Sequence, residues 1–216
     1  MKAEPHGSFY DINGELYPRV THVLQVFKKP GLDIWRNRVG DIEADRVSSA
    51  GALIGTQFHN VVKDINLGKH KKNGWRPPEH LVDMSYAYIE WLHSNIVEII
   101  SAEELVVSHE HKFAGTTDLV ARHRDAKRPA IWDVKTSNDV SEDWPLQLSA
   151  YKMANLEMGR DIDDRYIIHV PKKGKARVVL YKFEDHEEDE AQFLHALAAW
   201  RWLQDAKKRV RASKVA

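Results

Sequence analysis

Pro129-Ala130-Ile131-Trp132-Asp133-Val134-Lys135-Thr136 carries the strongest structural signal in the chain. A near-continuous apolar entry ending on an acid and a lysine two residues apart reads as a buried strand. Strand alternation puts Asp133 and Lys135 on one face. Burying an acid and a lysine together is costly unless they are paired or hold a metal, so the same stretch also marks a candidate site. Three other acid-x-lysine triplets, Glu110-x-Lys112, Asp125-x-Lys127 and Asp205-x-Lys207, lack this strand setting.

Upstream, Asp118 ends Gly115-Thr116-Thr117-Asp118, fifteen residues before Asp133. A short connection around Arg124 to Arg128 folds the two strands antiparallel and brings the two carboxylates to adjacent positions. Paired carboxylates suit Mg2+ or Mn2+, hard cations that prefer oxygen ligands. Downstream, Gln147 and Tyr151 stand one turn apart on a helix predicted over about 144 to 158, where a polar pair can orient a substrate or a water. Far upstream, His59 sits beside the apolar stripe Ile54, Phe58, Val61, Val62 and Ile65 of another helix, and a neutral imidazole there can coordinate a metal. Taken singly, each has a plainer reading: a surface acid, a half-buried Tyr on an amphipathic helix, one histidine among 12.

Around these residues the patterns predict helices at about 33 to 47, 51 to 66 and 79 to 100. Strands then follow at Glu104 to Ser108, Thr116 to Arg122, Ala130 to Thr136, Arg165 to Val170 and Arg177 to Phe183. A last helix carries Phe193, Leu197, Trp200 and Leu203. Near the start, Asn13-Gly14 between Ser8 to Ile12 and Glu15 to Val20 predicts a hairpin. Thr21 is expected to cap a short helix through Phe27, stopped by Pro30-Gly31. The order indicates an α/β (α+β) chain with a mixed sheet. It reads as one compact domain: a hairpin-and-helix part over 1–100 and a catalytic core over 101–216.

Lys+Arg and Asp+Glu are both 32 in 216 residues, so any polyanion site must be a local patch. Cysteine is absent, which excludes disulfides, thiolate zinc sites, iron–sulfur clusters and a Cys nucleophile. The N-terminus has no signal-like apolar region and no window reaches the length of a membrane span, so an intracellular, cytoplasmic protein is expected.

As an ordered set, His59, Gly115-x-x-Asp118, Asp133-x-Lys135 and Gln147-x-x-x-Tyr151 resemble the RecB-like branch of the PD-(D/E)XK nuclease superfamily. Tyr17-Pro18-Arg19-Val20-Thr21-His22-Val23-Leu24, Trp132 to Ser137 and Pro145-Leu146-Gln147 look like segments of its mitochondrial genome-maintenance and phage exonucleases. The likeness spans roughly residues 17 to 205. Thr117 stands where the loosely written motif has Pro, although Gly-x-x-Asp is common in this branch. The cluster-bearing relatives need cysteines that this chain lacks.

This resemblance implies a restriction-endonuclease-like core and DNA phosphodiester hydrolysis with one or two Mg2+ or Mn2+ ions, by an exonuclease of replication, repair or recombination. Asp118 and Asp133, with His59 and the Val134 carbonyl, would hold the metal. Lys135 would position or deprotonate the attacking water, Gln147 and Tyr151 would orient water or phosphate, and Glu110 would be a further ligand through water or a nearby structural acid. Expected phosphate contacts are Lys69, Lys71 and Lys72, then Lys172, Lys173 and Lys175 with Arg177, and a tail with Lys207, Lys208, Arg209, Arg211 and Lys214. Trp35, Trp75 and Trp144 are the expected base-stacking platforms, while Trp91, Trp132 and Trp200 fall on core positions. The expected partner is DNA with free ends or single strands, with a homo-oligomer or a recombination or replication protein as further partners. The competing readings are a structure-selective endonuclease, an inactive nucleic-acid-binding module, and a zinc hydrolase using His109 and His111.

Overall fold

The strand carrying Asp133 is the middle of a five-stranded mixed sheet, seen in a computed structural model that describes residues 3–27 and 30–213. The strands are β4 (Ile96–Ser108), β5 (Phe113–His123), β6 (Ala130–Lys135), β7 (Arg165–His169) and β8 (Val179–Lys182), adjacent in that order. Only β6 and β7 pair in parallel. Helix α5 (Trp144–Glu157) is their crossover, as a parallel connection requires. Three short strands, β1 (Ala3–His6), β2 (Phe9–Ile12) and β3 (Glu15–Pro18), form a separate antiparallel sheet. The turn at Asn13 and Gly14 has φ of 55° and 87°, a geometry these two residues tolerate.

Helices cover both faces of the large sheet. On one, α5 and α6 (His186–Ala212) pack with the short α1 (Val20–Val23) over Val120, Ile131 and Ile167. On the other, α3 (Asp41–Asn66) and α4 (Val82–Asn95) pack over Leu119, Trp132, Val134 and Ile168. β6 therefore alternates between two cores, Ile131 into one and Trp132 into the other, which is why its sequence is apolar on both faces. Arg165 is fully buried and ties the first layer together: its guanidinium donates to Ser149 on α5 and, at 2.8 Å, to Asp189 on α6.

Several boundaries differ from the sequence reading. Thr21 lies inside α1; Arg19 is the N-cap, and no side chain caps the helix. Pro30 opens helix α2 (Pro30–Val39) instead of ending a run, since its missing N–H costs nothing at a helix start. Gly40, at φ 83°, separates α2 from α3, and α3 then runs unbroken through Gly51 and Gly55 to Asn66. The helix expected to reach residue 100 ends at Asn95, because Ile96, Val97, Ile99 and Ile100 favour the extended chain. Trp144 is 4% exposed, packed edge-on against Tyr181 and beside His169, so it is no stacking platform. Trp91, Trp132 and Trp200 are buried.

Candidate active site

The ladder between β5 and β6 pairs Ala121 with Ala130, Val120 with Ile131 and Leu119 with Trp132. The next position faces Asp118 with Asp133. There the Asp118 side chain takes over from the backbone, its Oδ2 accepting from the Val134 N–H at 2.7 Å. Between β4 and β5, Ala102 pairs with Leu119 and Glu104 with Thr117, which puts Glu103 across from Asp118. Three acids thus stand in a row across three neighbouring strands. Glu103 adopts φ 53°, a left-handed conformation uncommon for a residue with a side chain. Strict alternation also fails nearby, since Phe113 and Leu119, an even distance apart, enter opposite cores.

His59 reaches this row from α3, its Nδ1 3.5 Å from Asp118 Oδ2. Single donor atoms of His59, Glu103 and Asp118 all lie within 4.8 Å of one another. Asp133 is held separately. Lys135 Nζ is 2.7 Å from Asp133 Oδ2, and Lys135 donates to Gln147 Oε1 at 2.8 Å. The Gln147 amide donates in turn to Asp133 Oδ1 at 3.1 Å and to the Tyr151 hydroxyl at 2.9 Å. Tyr151 fits because residue 115 is Gly; a Cβ there would collide with its ring.

Burial raises two of the three acids. The Glu103 carboxyl is pushed up to about 7 by desolvation and the charge of Asp118. Asp133 goes to about 6, since desolvation and Asp118 outweigh the pull of Lys135. Burial acts the same way on Asp118, but His59, Lys135 and the Val134 N–H overcome it and hold this carboxyl below its usual range. Desolvation likewise pulls His59 and Lys135 toward neutrality, and in both the facing carboxylates prevail and favour the cation. The cavity floor thus sets three acids against two cations, and two carboxylate oxygens there, Glu103 Oε1 and Asp133 Oδ2, are buried without a hydrogen-bond partner, the second facing the Lys135 ammonium. A divalent cation fits that donor set, with two carboxylates and an imidazole converging and one oxygen unsatisfied.

The cavity holds about 400 Å3. His59, Asp118, Asp133, Lys135, Gln147 and Tyr151 all line it, joined by Glu103 and by a wall of Tyr10 from the small sheet, Arg19 at the start of α1 and Thr116 of β5. Tyr10 bonds Thr116 Oγ1 at 3.0 Å, and the Arg19 guanidinium lies 5.2 Å over the Tyr10 ring. Glu103 and Arg19 are site residues that the sequence reading did not assign. Glu110 is not at the cavity: it sits in the β4–β5 turn, with a 74% exposed side chain 3.9 Å from His111. His109 is bonded to Tyr17 at 3.0 Å, and neither it nor His111 joins a cluster of potential metal ligands among the described residues.

The expected phosphate-binding lysines divide. Lys69 is paired with Asp64 at 2.7 Å, and Lys172 donates to the Gly51 carbonyl of α3 at 2.6 Å. Lys71, Lys72, Lys173 and Lys175 are exposed. The Lys69–Lys72 turn lies ten residues beyond His59, roughly 15 Å along the direction of α3. Trp35 and Trp75 are half-buried, and Lys214 falls outside the described residues.

No family model matches the chain, and no curated protein matches it. Solved structures do. SSO0001 aligns over 86% of this chain and 75% of its own, with TM-score 0.45 and 12% identity. A Eubacterium rectale protein provisionally described as an exonuclease aligns over 73% of each chain, with TM-score 0.44 and 9% identity. Likenesses this distant do not bear on function, which the side chains must carry. No helix among the described residues is long and apolar enough to cross a membrane.

Proposed function

We propose that the protein is a metal-dependent nuclease with a PD-(D/E)XK core that hydrolyses DNA phosphodiester bonds, as an exonuclease acting at ends or on single strands. The observation that carries this reading is the acid row Glu103, Asp118 and Asp133 with Lys135 beside its last member. A pure binding module has no use for three acids facing a phosphate.

Divalent Mg2+ or Mn2+ held by His59, Glu103 and Asp118, with Asp133 alongside, would polarise the scissile phosphate and lower the pKa of an attacking water. The chain's own groups do the rest. Lys135, already a cation, offsets negative charge as it builds on the phosphate. Gln147 fixes the Lys135 ammonium through its carbonyl and Asp133 through its amide, so the lysine is oriented before substrate arrives. Tyr151 keeps its proton because burial holds its hydroxyl well above the usual range, and it braces Gln147. Arg19, across the cavity, supplies a cation for a phosphate entering past the hairpin. Lys71, Lys72, Lys173 and Lys175 would meet the strand farther out.

The test is digestion of end-labelled linear DNA and of closed circles, with Mg2+, Mn2+ or EDTA. Linear DNA should be degraded with either metal, circles spared, and Lys135→Ala inactive. Cleavage of circles would make the protein an endonuclease. Full activity of Lys135→Ala, or activity in EDTA, would remove the assignment.

A further inference from the structure

Helix α6 outruns the body that it packs on. Phe193, Ala196, Leu197 and Trp200 are its buried residues, and from Arg201 to Ser213 none is buried. Charge along the helix is segregated: residues 186–200 carry four acids and no Lys or Arg, while 201–213 carry Arg201, Lys207, Lys208, Arg209 and Arg211 against the single acid Asp205. The helix dipole accounts for cations in the last turn, Arg209 and Arg211, but not for the other three.

At about 100° per residue, Arg201, Lys207, Lys208 and Arg211 fall within about 120° of arc. Trp202, Leu203, Ala206 and Val210 occupy a separate arc of about 100°. The basic face has a known direction, because Arg201 donates to the carbonyls of His111 and Lys112 at 2.6 and 3.0 Å. Among the described residues Lys208 pairs with Asp205 alone, at 3.8 Å, and Lys207 and Arg211 form no ion pair. The overhang leaves the body at Trp200, packed edge-on against Phe9, and the next residue along that strand is Tyr10 of the cavity wall.

We propose that this overhanging basic face is a second contact for nucleic acid, gripping the sugar-phosphate backbone of a strand whose end lies in the cavity. The proposal rests on the nuclease reading for the identity of the polyanion. A molecule with no net charge gains a local field where its substrate runs, and backbone contact of this kind adds affinity without sequence preference. Arg19 lies over Tyr10, and Trp200, at the root of the overhang, packs on Phe9, so the cavity wall and the start of α6's free end meet neighbouring residues of one strand, and a single chain of phosphates is taken to run from one to the other.

The experiment uses the full chain and a fluorescein-labelled 30-nucleotide single strand, in EDTA so that nothing is cut. Binding is followed from low to physiological salt for the unsubstituted protein, for Lys207→Gln/Lys208→Gln/Arg211→Gln, and for a charge-matched control, Arg38→Gln/Arg124→Gln/Lys127→Gln. Three lost contacts to a single strand should make the plot of log affinity against log salt shallower by about 2, and the control should leave it unchanged. In Mg2+ the α6 variant should keep kcat at saturating DNA while KM rises. An unchanged slope, an equal change in the control, or no binding by the unsubstituted protein would overturn the proposal. So would a variant that loses only its binding to phosphatidylserine vesicles, since the face would then serve a lipid surface. Cleavage is scored separately: its absence in Mg2+ sinks the nuclease reading, while the slope difference still upholds the surface.

Discussion

Glu103 is where the chain's local preferences give way most visibly. An acid at φ 53° in the middle of a strand, with one oxygen buried and unbonded, is an arrangement that the apo protein gains nothing from. Its carboxyl, ordinarily at 4.5, is raised to about 7, so the folded state keeps a proton that the unfolded chain releases. Stability from this group is therefore fully present below about 4.5 and is lost as pH climbs through about 7. Glu103→Gln, which has no proton to lose, should be more stable than the unsubstituted protein at pH 8 and equal to it at pH 4 when both are metal-free, as read by urea melts in EDTA. Equal stability at both values would mean that Glu103 is solvated and uninvolved. A second residue-scale expectation concerns Gly115: Gly115→Ala should cost about 1 to 3 kcal/mol by overpacking against Tyr151, and should lower activity more than stability explains, because Gln147 loses its brace.

The acid row shows how far the sequence could be read. Asp118 and Asp133 were legible because a short turn between two apolar runs leaves one register open, and alternation then decides the face. Glu103 was not, since its place depends on the β4–β5 turn lying at residues 109–112, with Ser108 paired to Phe113. Counting back from that pair reaches Glu103 opposite Asp118; choosing the acid nearest in sequence reaches Glu110, which the same turn carries to the far end of the hairpin. Arg19 lies within the Tyr17 to Leu24 segment, but its position at the cavity needs the small sheet to fold against β5, through a contact between Arg19 and Ala114 that no local pattern encodes.

Among elements, the strands are more legible in sequence than the helices around them. β6 carries its own evidence, whereas the break at Gly40 and the continuity through Gly51 and Gly55 depend on partners. Gly55 stands one turn before His59, and a Cβ there would press on Thr136 Oγ1 at 3.3 Å, so this stretch of α3 approaches the end of β6 closely. That closeness is what places an imidazole from one helical layer at an acid row on the sheet. On the opposite layer, α6 is secured by a buried ion pair. Asp189→Ala would leave the fully buried Arg165 guanidinium without its carboxylate, and a loss of about 3 to 5 kcal/mol is expected in urea unfolding. Asp189→Ala combined with Arg165→Met should recover much of it, since the buried charge goes with its partner; no recovery would mean that Arg165 also holds α5 and β7 by hydrogen bonds that Met lacks.

For the whole molecule, the neutral sum of charges conceals an uneven distribution: acids gathered at the floor of one cavity, cations at its wall and along one helix end. One half-buried acid, Glu103, and one buried acid, Asp133, raised above their ordinary range mean that the metal-free protein stores unfavourable electrostatics at this cavity. A divalent ion that binds the folded chain and not the unfolded one must then stabilise it, by about 2.7 kcal/mol at a hundred times its dissociation constant. Adding Mg2+ or Mn2+ should raise the melting temperature in a saturable way, and the rise should vanish in Asp118→Asn and shrink in Glu103→Gln. Asp133→Asn should also shrink it, while Lys135→Ala, which removes a competing cation 2.7 Å from Asp133, should retain or enlarge the metal response even as cleavage is lost. That opposite behaviour separates a residue that binds the ion from one that acts beside it. If Lys135→Ala and Asp118→Asn lost the metal response together, the cavity would be a single structural charge network, and the division of labour between the acid row and the lysine would fall.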